Sequence, residues 1–97
     1  MVALDQPEVD AIELGDVLQA LSDPTRLEIV RALDAEGERQ CGSFDLGLTK
    51  ATRSHHFKVL REAGLTFTRV EGTARYVTLR RAELDARFPG LLDAVTR

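Results

Sequence analysis

Apolar positions recur at helical spacing over Asp10 to Leu21, where Ile12, Leu14, Val17, Leu18 and Leu21 predict a first helix with Gly15 as its weak point. Ser22-Asp23-Pro24 stops that helix and starts another. Asp23 can cap it, and Pro24 suits the first helical position, where its missing amide costs nothing. Leu27, Ile29, Val30 and Leu33 then face inward, and Gly37 marks the end. The segment GSFDLGL, with Phe44, Leu46 and Leu48 broken by Gly47, predicts a short helix and turn. Thr49 opens a longer helix and Gly64 closes it, the first as an N-cap hydroxyl and the second as a residue tolerant of left-handed backbone. The pattern then changes period. Leu65, Phe67 and Arg69 alternate with Thr66, Thr68 and Val70, Glu71-Gly72-Thr73 turns the chain, and Arg75, Val77 and Leu79 alternate with Ala74, Tyr76 and Thr78 on the return. A last helical region spans 80–97, with the stripe Leu84, Phe88, Leu91, Leu92 and Val95 interrupted by Pro89-Gly90, which predicts a bend or two short helices. Residues 1–9 are polar, contain Pro7 and predict a loose tail.

The helix after Thr49 is two-faced. At about 100° per residue, Lys50, Ser54, His55, Lys58 and Arg61 fall on one half of the wheel, and Thr52, His56, Phe57, Val59, Leu60 and Ala63 on the other. One face can anchor in a core. The other carries short hydrogen-bonding groups with cations around them, which suits a helix entering a major groove between phosphate rows. Charge along the chain agrees. The net charge is −3, yet residues 1–49 hold eleven acids against three bases, 50–81 two acids against eight bases, and 82–97 three acids against two bases. The positive charge is thus concentrated on the helix and hairpin that would meet nucleic acid.

The run LSDPTRLEIVRAL at 21–33, then TKATRSHHFKVLREAGL at 49–65, then Glu71-Gly72 at the hairpin turn, resembles the ArsR/SmtB-type winged-helix regulators over roughly residues 14–79. The resemblance implies a mainly α fold with a β-hairpin wing: a winged helix-turn-helix acting as a homodimer through its first and last helices. It matches Lys50, Thr52, Ser54 and His55 to positions that meet DNA, and 71–75 to the wing tip. Lys58, Arg61, Arg69 and Arg75 are then expected to neutralise phosphates, and Arg53, on the inward arc, to snorkel past Phe57 toward the backbone. Thr73 and Ala74 stand where relatives often carry arginine, so fewer wing contacts are expected. The apolar stripes Leu14, Val17, Leu18 and Leu84, Phe88, Leu91, Leu92, Val95 are expected to form the dimer, with 80–97 as a C-terminal dimerisation region.

Other chemistry is sparse. A chain of 97 residues makes one domain at most, and no apolar run or leader pattern targets a membrane, so a cytoplasmic location is expected. Cys41 is a single cysteine, short of the two to four thiolates that a soft metal or arsenic requires. His55 and His56 are adjacent on a helix and cannot chelate one ion, and 80–97 contains no histidine. No resident cofactor or metal site is expected. Phosphate loops and nucleophile elbows are missing as well, which argues against an enzyme. The expected function is a sequence-specific transcriptional regulator, a repressor by default, that binds a pseudo-palindromic double-stranded operator. Two alternatives stay open: a protein-interaction winged-helix module, and a nickel- or zinc-responsive regulator using carboxylate and histidine ligands or a partner protein.

Overall fold

The computed structural model describes residues 2–97, and the strongest local signals become its elements. A two-residue strand β1 (Val2–Ala3) leads through a 3-10 turn to helices α1 (Leu14–Leu21) and α2 (Pro24–Glu36). Strand β2 (Arg39–Gln40), a second 3-10 turn (Cys41–Ser43) and helix α3 (Lys50–Glu62) follow. The hairpin β3 (Thr66–Glu71) and β4 (Ala74–Leu79) and the short helices α4 (Arg81–Arg87) and α5 (Leu91–Thr96) complete the chain. Asp23 caps α2 by accepting the Arg26 amide at 3.1 Å, with Pro24 in the first turn as expected. Pro89-Gly90 divides the last region in two, Gly90 being left-handed at φ 84°.

The sheet is antiparallel with order β1-β3-β4-β2. Glu71 pairs with Ala74 across the turn, and Gly72 holds φ 62° at its first central position, where a II′ hairpin needs glycine. Thr66, Thr68 and Val77 face inward, and the core they border gathers Val17, Ala20 and Leu21 of α1, Ile29, Val30 and Leu33 of α2, Phe57 and Leu60 of α3, Leu84 of α4 and Leu92 of α5. The result is a winged helix-turn-helix.

Four expectations change. The loose tail is an edge of the fold over its described residues, 2–9; Met1 lies outside them. Val2 and Ala3 pair with Val70 and Arg69. The Gln6 side-chain amide accepts from the Thr68 amide and donates to the Thr68 carbonyl at 3.0 Å, continuing the ladder with a side chain. Arg80 donates to the Pro7 carbonyl at 2.7 Å. Second, the first helix begins at Leu14 rather than near Asp10. The Val9 and Ile12 carbonyls are taken by Arg87, with the Ile12 contact at 2.8 Å, so these groups find their partners outside a helix. Third, GSFDLGL forms no α-helix: Gly47 sits at φ 67°, and Phe44 packs edge-on to Phe57 with centroids 5.3 Å apart. Seven residues with two glycines do not repay helix nucleation, and burial of Phe44 decides the conformation. Fourth, Val17, Leu84 and Leu92 are 0%, 1% and 1% exposed, so the chain's own core already covers them and they cannot line an interface. Leu14 and Leu18 remain open at 44% and 48%, and Phe88, Leu91 and Val95 are half-buried.

Candidate nucleic-acid interface

Helix α3 is held at both ends. The Thr49 hydroxyl accepts the Thr52 amide at 3.2 Å, and at the other end the Gly64 and Leu65 amides return to the Arg61 and Leu60 carbonyls. Phe57 and Leu60 anchor it in the core, while Lys50, Thr52, Ser54, His55 and Lys58 stand exposed. Thr52 is thus turned out, although the wheel put it on the apolar half, because its hydroxyl joins the Thr49 cap at 2.9 Å. His56 is half-buried, as expected of a packing residue. Arg26 approaches its Nδ1 at 3.3 Å, and an arginine N–H can only donate, so Nδ1 accepts; Asp23 at 3.7 Å lies beyond hydrogen-bond range.

The basic residues fall into two sets. Arg26, Arg31, Arg39, Arg80, Arg81 and Arg87 all reach carbonyls or carboxylates of the chain. Lys50, Arg53, Lys58, Arg61 and Arg75 have no hydrogen-bond or carboxylate partner among the described residues. These five lie on α3 or the hairpin; Arg97, just past α5, is likewise without a partner among the described residues.

Arg69 belongs to the first set, since the chain's own carboxylates already engage the charge expected at phosphate. Strand alternation turns it to the face opposite Thr68. There it bonds Glu38 at 2.8 Å and also Glu71, and it stacks on the Tyr76 ring at 4.3 Å. The Arg69 hydrogen bond holds the Glu38 carboxyl below its usual range, and Glu38 with Glu71 pushes the Arg69 guanidinium up.

Between α3 and the hairpin lies a groove of about 540 Å³ lined by Lys50, Arg53, Ser54, Arg61 and Arg75, with Gln40, Cys41, Phe57 and Thr68 also in its walls. Arg75 reaches it because its partner in register is Val70, on the Thr68 face of the sheet. Burial pushes the Cys41 thiol up, against the pull of Arg75, Arg53 and Arg61, so the groove contains no thiolate of its own at neutral pH. His55 lies apart, lining a second cavity with Asp16 and Glu62 between α1 and α3.

Comparison with known proteins places this architecture. The family model described as "Bacterial regulatory protein, arsR family" matches residues 23–66. The HTH-type transcriptional regulator YceK of Bacillus subtilis is 43% identical over 84 residues, covering 84% of each chain. The chain belongs to the arsR family. Another relative, the arsenical resistance operon repressor of Staphylococcus aureus, is 35% identical over 75% of this chain and 71% of its own length. Among solved structures, the transcriptional repressor BigR from Xylella fastidiosa superposes with a TM-score of 0.66 at 31% identity, over 84% of this chain and 81% of that one. As an arsR-family protein the chain is a transcriptional regulator of a DNA-binding class, not an enzyme.

For this arsR-family chain, sequence reasoning missed part of the groove's walls. Gln40 and Cys41 arrive through β2, too short to show any period, and the β2–β4 pairing sets them beside the hairpin. Thr68 stood in an alternating strand, but the alternation did not say which of its two faces turns inward, and it is the Thr66, Thr68 face that is buried. Among the described residues no helix is long and apolar enough to cross a membrane, and no group of three or more His, Cys, Asp or Glu side chains could hold a metal ion.

Proposed function

We propose that the protein is a repressor that binds a pseudo-palindromic operator as a homodimer. One observation carries this reading: apart from Arg69, the cations of α3 and the hairpin are left without partners among the described residues, whereas six of the seven arginines outside them are engaged by the chain's own carbonyls and carboxylates. Fixed, unanswered charge on a projecting helix suits a polyanion whose phosphates supply the missing partners. Ser54 and Thr52 would contact base edges or nearby phosphates, Lys50 would reach guanine or the backbone, and Arg53, Lys58, Arg61 and Arg75 would neutralise phosphate. A two-fold dimer implies half-sites about one helical turn apart.

The test is fluorescence anisotropy on duplexes from the protein's own upstream region, with scrambled competitor. Ser54→Ala is expected to reduce discrimination between operator and scrambled DNA by about 1–3 kcal/mol while leaving nonspecific affinity in place. Equal wild-type affinity for both duplexes would refute the proposal.

Dimerisation has its own check. Leu14 and Leu18 sit one turn apart on α1, both open to solvent. Leu14→Glu with Leu18→Glu should give a folded monomer in sedimentation, where the wild type is a dimer at micromolar concentration. A wild-type monomer would remove the two-fold operator with it.

The arsenical resistance relative raises the question of a thiolate effector. One half-buried thiol per chain, held protonated by its surroundings, is a poor start for soft-metal capture. No cofactor is proposed. Arsenite added to the protein–operator complex should leave anisotropy unchanged in wild type and Cys41→Ser alike; release confined to the wild type would mean that one thiol per chain suffices.

A further inference from the structure

The groove between α3 and the hairpin is built for more than a passing strand. Lys50, Ser54 and Arg75 are exposed at its rim, Arg53 and Arg61 are half-buried in its walls, and Phe57 and Thr68 are buried. A phosphodiester flanked by sugars in a duplex can meet the rim.

Of the three buried side-chain atoms without a hydrogen-bond partner among the described residues, two, Thr68 Oγ1 and Arg61 Nε, belong to residues lining this groove, and the third is Thr66 Oγ1. Thr68 is 1% exposed, its Oγ1 is sealed from solvent, and it has no hydrogen-bond partner; Arg61 Nε is in the same state. Buried donors without acceptors are uncommon and costly. The Thr68 hydroxyl proton can rotate toward any acceptor oxygen that reaches it. Three guanidinia border the same space, and none has a carboxylate partner among the described residues. A planar carboxylate satisfies one such fork, whereas a tetrahedral dianion presents oxygens to several. The volume of about 540 Å³ falls within the range of small-molecule sites and exceeds what an inorganic ion fills, leaving Phe57 and Ala74 as a wall for an organic body. The neutral thiol of Cys41 adds no repulsion.

We infer that this groove binds a small phosphate-bearing anion, a phosphate monoester with inorganic phosphate as its minimal form, and that the bound anion excludes operator DNA. Arg53, Arg61 and Arg75 hold the charge, and Thr68 donates to it. The exclusion rests on the DNA-binding reading, since anion and backbone phosphate compete for the same guanidinia.

Calorimetric titration of the full chain without DNA separates the two claims. The probes are inorganic phosphate and glycerol 3-phosphate, with chloride keeping ionic strength constant. Saturable binding is expected, weakened about tenfold by Arg61→Gln and by Thr68→Val through loss of a hydrogen bond to a charged group, and unchanged by Arg69→Gln. Thr68→Val keeps the side-chain shape and removes only an unpartnered hydroxyl, so its fold should survive. Absent saturation in the wild type, or wild-type affinity in both Arg61→Gln and Thr68→Val, overturns the site. In a second arm glycerol 3-phosphate is added to the protein–operator complex at constant ionic strength. Release from wild type at lower concentrations than from Thr68→Val supports exclusion, and equal release overturns it. A chain that binds no duplex at all sinks the DNA reading and the exclusion together, while the first titration still decides the anion site.

Discussion

Gly64→Ala should cost the protein several kcal/mol, the largest stability loss expected of any single-methyl addition. Gly64 closes α3 at φ 88°, where a Cβ carries a penalty of about 1–2 kcal/mol. A Cβ there would also lie 2.6 Å from Ile12 Cγ1 and 2.8 Å from Cδ1. Ile12 is 2% exposed and wedged between the N-terminal segment and the end of α3, so it has little room to withdraw. Overpacking of this kind adds about 1–3 kcal/mol. Together these approach half the stability of an ordinary small domain. Urea denaturation should show a lowered midpoint with unchanged slope, and Gly37→Ala, also at positive φ but with no atom within 4 Å of its added Cβ, should cost far less. Equal losses at the two positions would show that backbone strain alone decides and that the contact with Ile12 is relaxed at no cost.

Replacing Arg53, Arg61 and Arg75 together with glutamine should abolish operator binding at physiological salt without unfolding the chain. These side chains have no partners to lose, so the folded state gives up little when they become neutral. The salt dependence makes the result quantitative. If the five unpartnered cations of α3 and the hairpin in each protomer touch phosphate, a dimer has a slope of log K against log salt of about −9, and the triple variant about −4. Arg69→Gln should leave the slope unchanged, because Glu38 and Glu71 already answer that charge. A slope that falls as much for Arg69→Gln as for Arg75→Gln would mean that the hairpin pairs open on the duplex and that the partition of cations seen in the free protein does not survive binding.

Much of the architecture was legible because it is written locally. Asp23-Pro24 starts α2, Thr49 and Gly64 bound α3, Gly72 turns the hairpin and Pro89-Gly90 splits the last region, each through the backbone conformation of one or two residues. What stayed hidden depends on distant partners. β1 and β2 are two residues each and carry no period. Ile12 leaves the helical pattern because Arg87, 75 positions later, takes its carbonyl. The site divides in the same way. Helical spacing put Lys50, Ser54, Lys58 and Arg61 on one face of α3, where Lys50, Ser54 and Lys58 stand exposed. The ion pair of Arg69 was hidden because its partner Glu38 lies 31 positions upstream, where neither a wheel nor an alternation can point. Val17, Leu84 and Leu92 were given to a dimer because a stripe shows which side of a helix is apolar, not which neighbour covers it.

The strand formed by Val2 and Ala3 has a practical bearing on how the protein can be handled. It covers the outer edge of β3, and Gln6 continues that cover with its side chain. A fragment beginning at α1 would leave the β3 edge with open amides and carbonyls, a template for pairing with other chains. It would also take Ile12 from its seat over Gly64. Constructive engineering therefore belongs at the other terminus: a fusion or affinity handle placed after Arg97 leaves the edge sealed, whereas one placed at the start strains the two-residue strand that keeps each hairpin from seeking another.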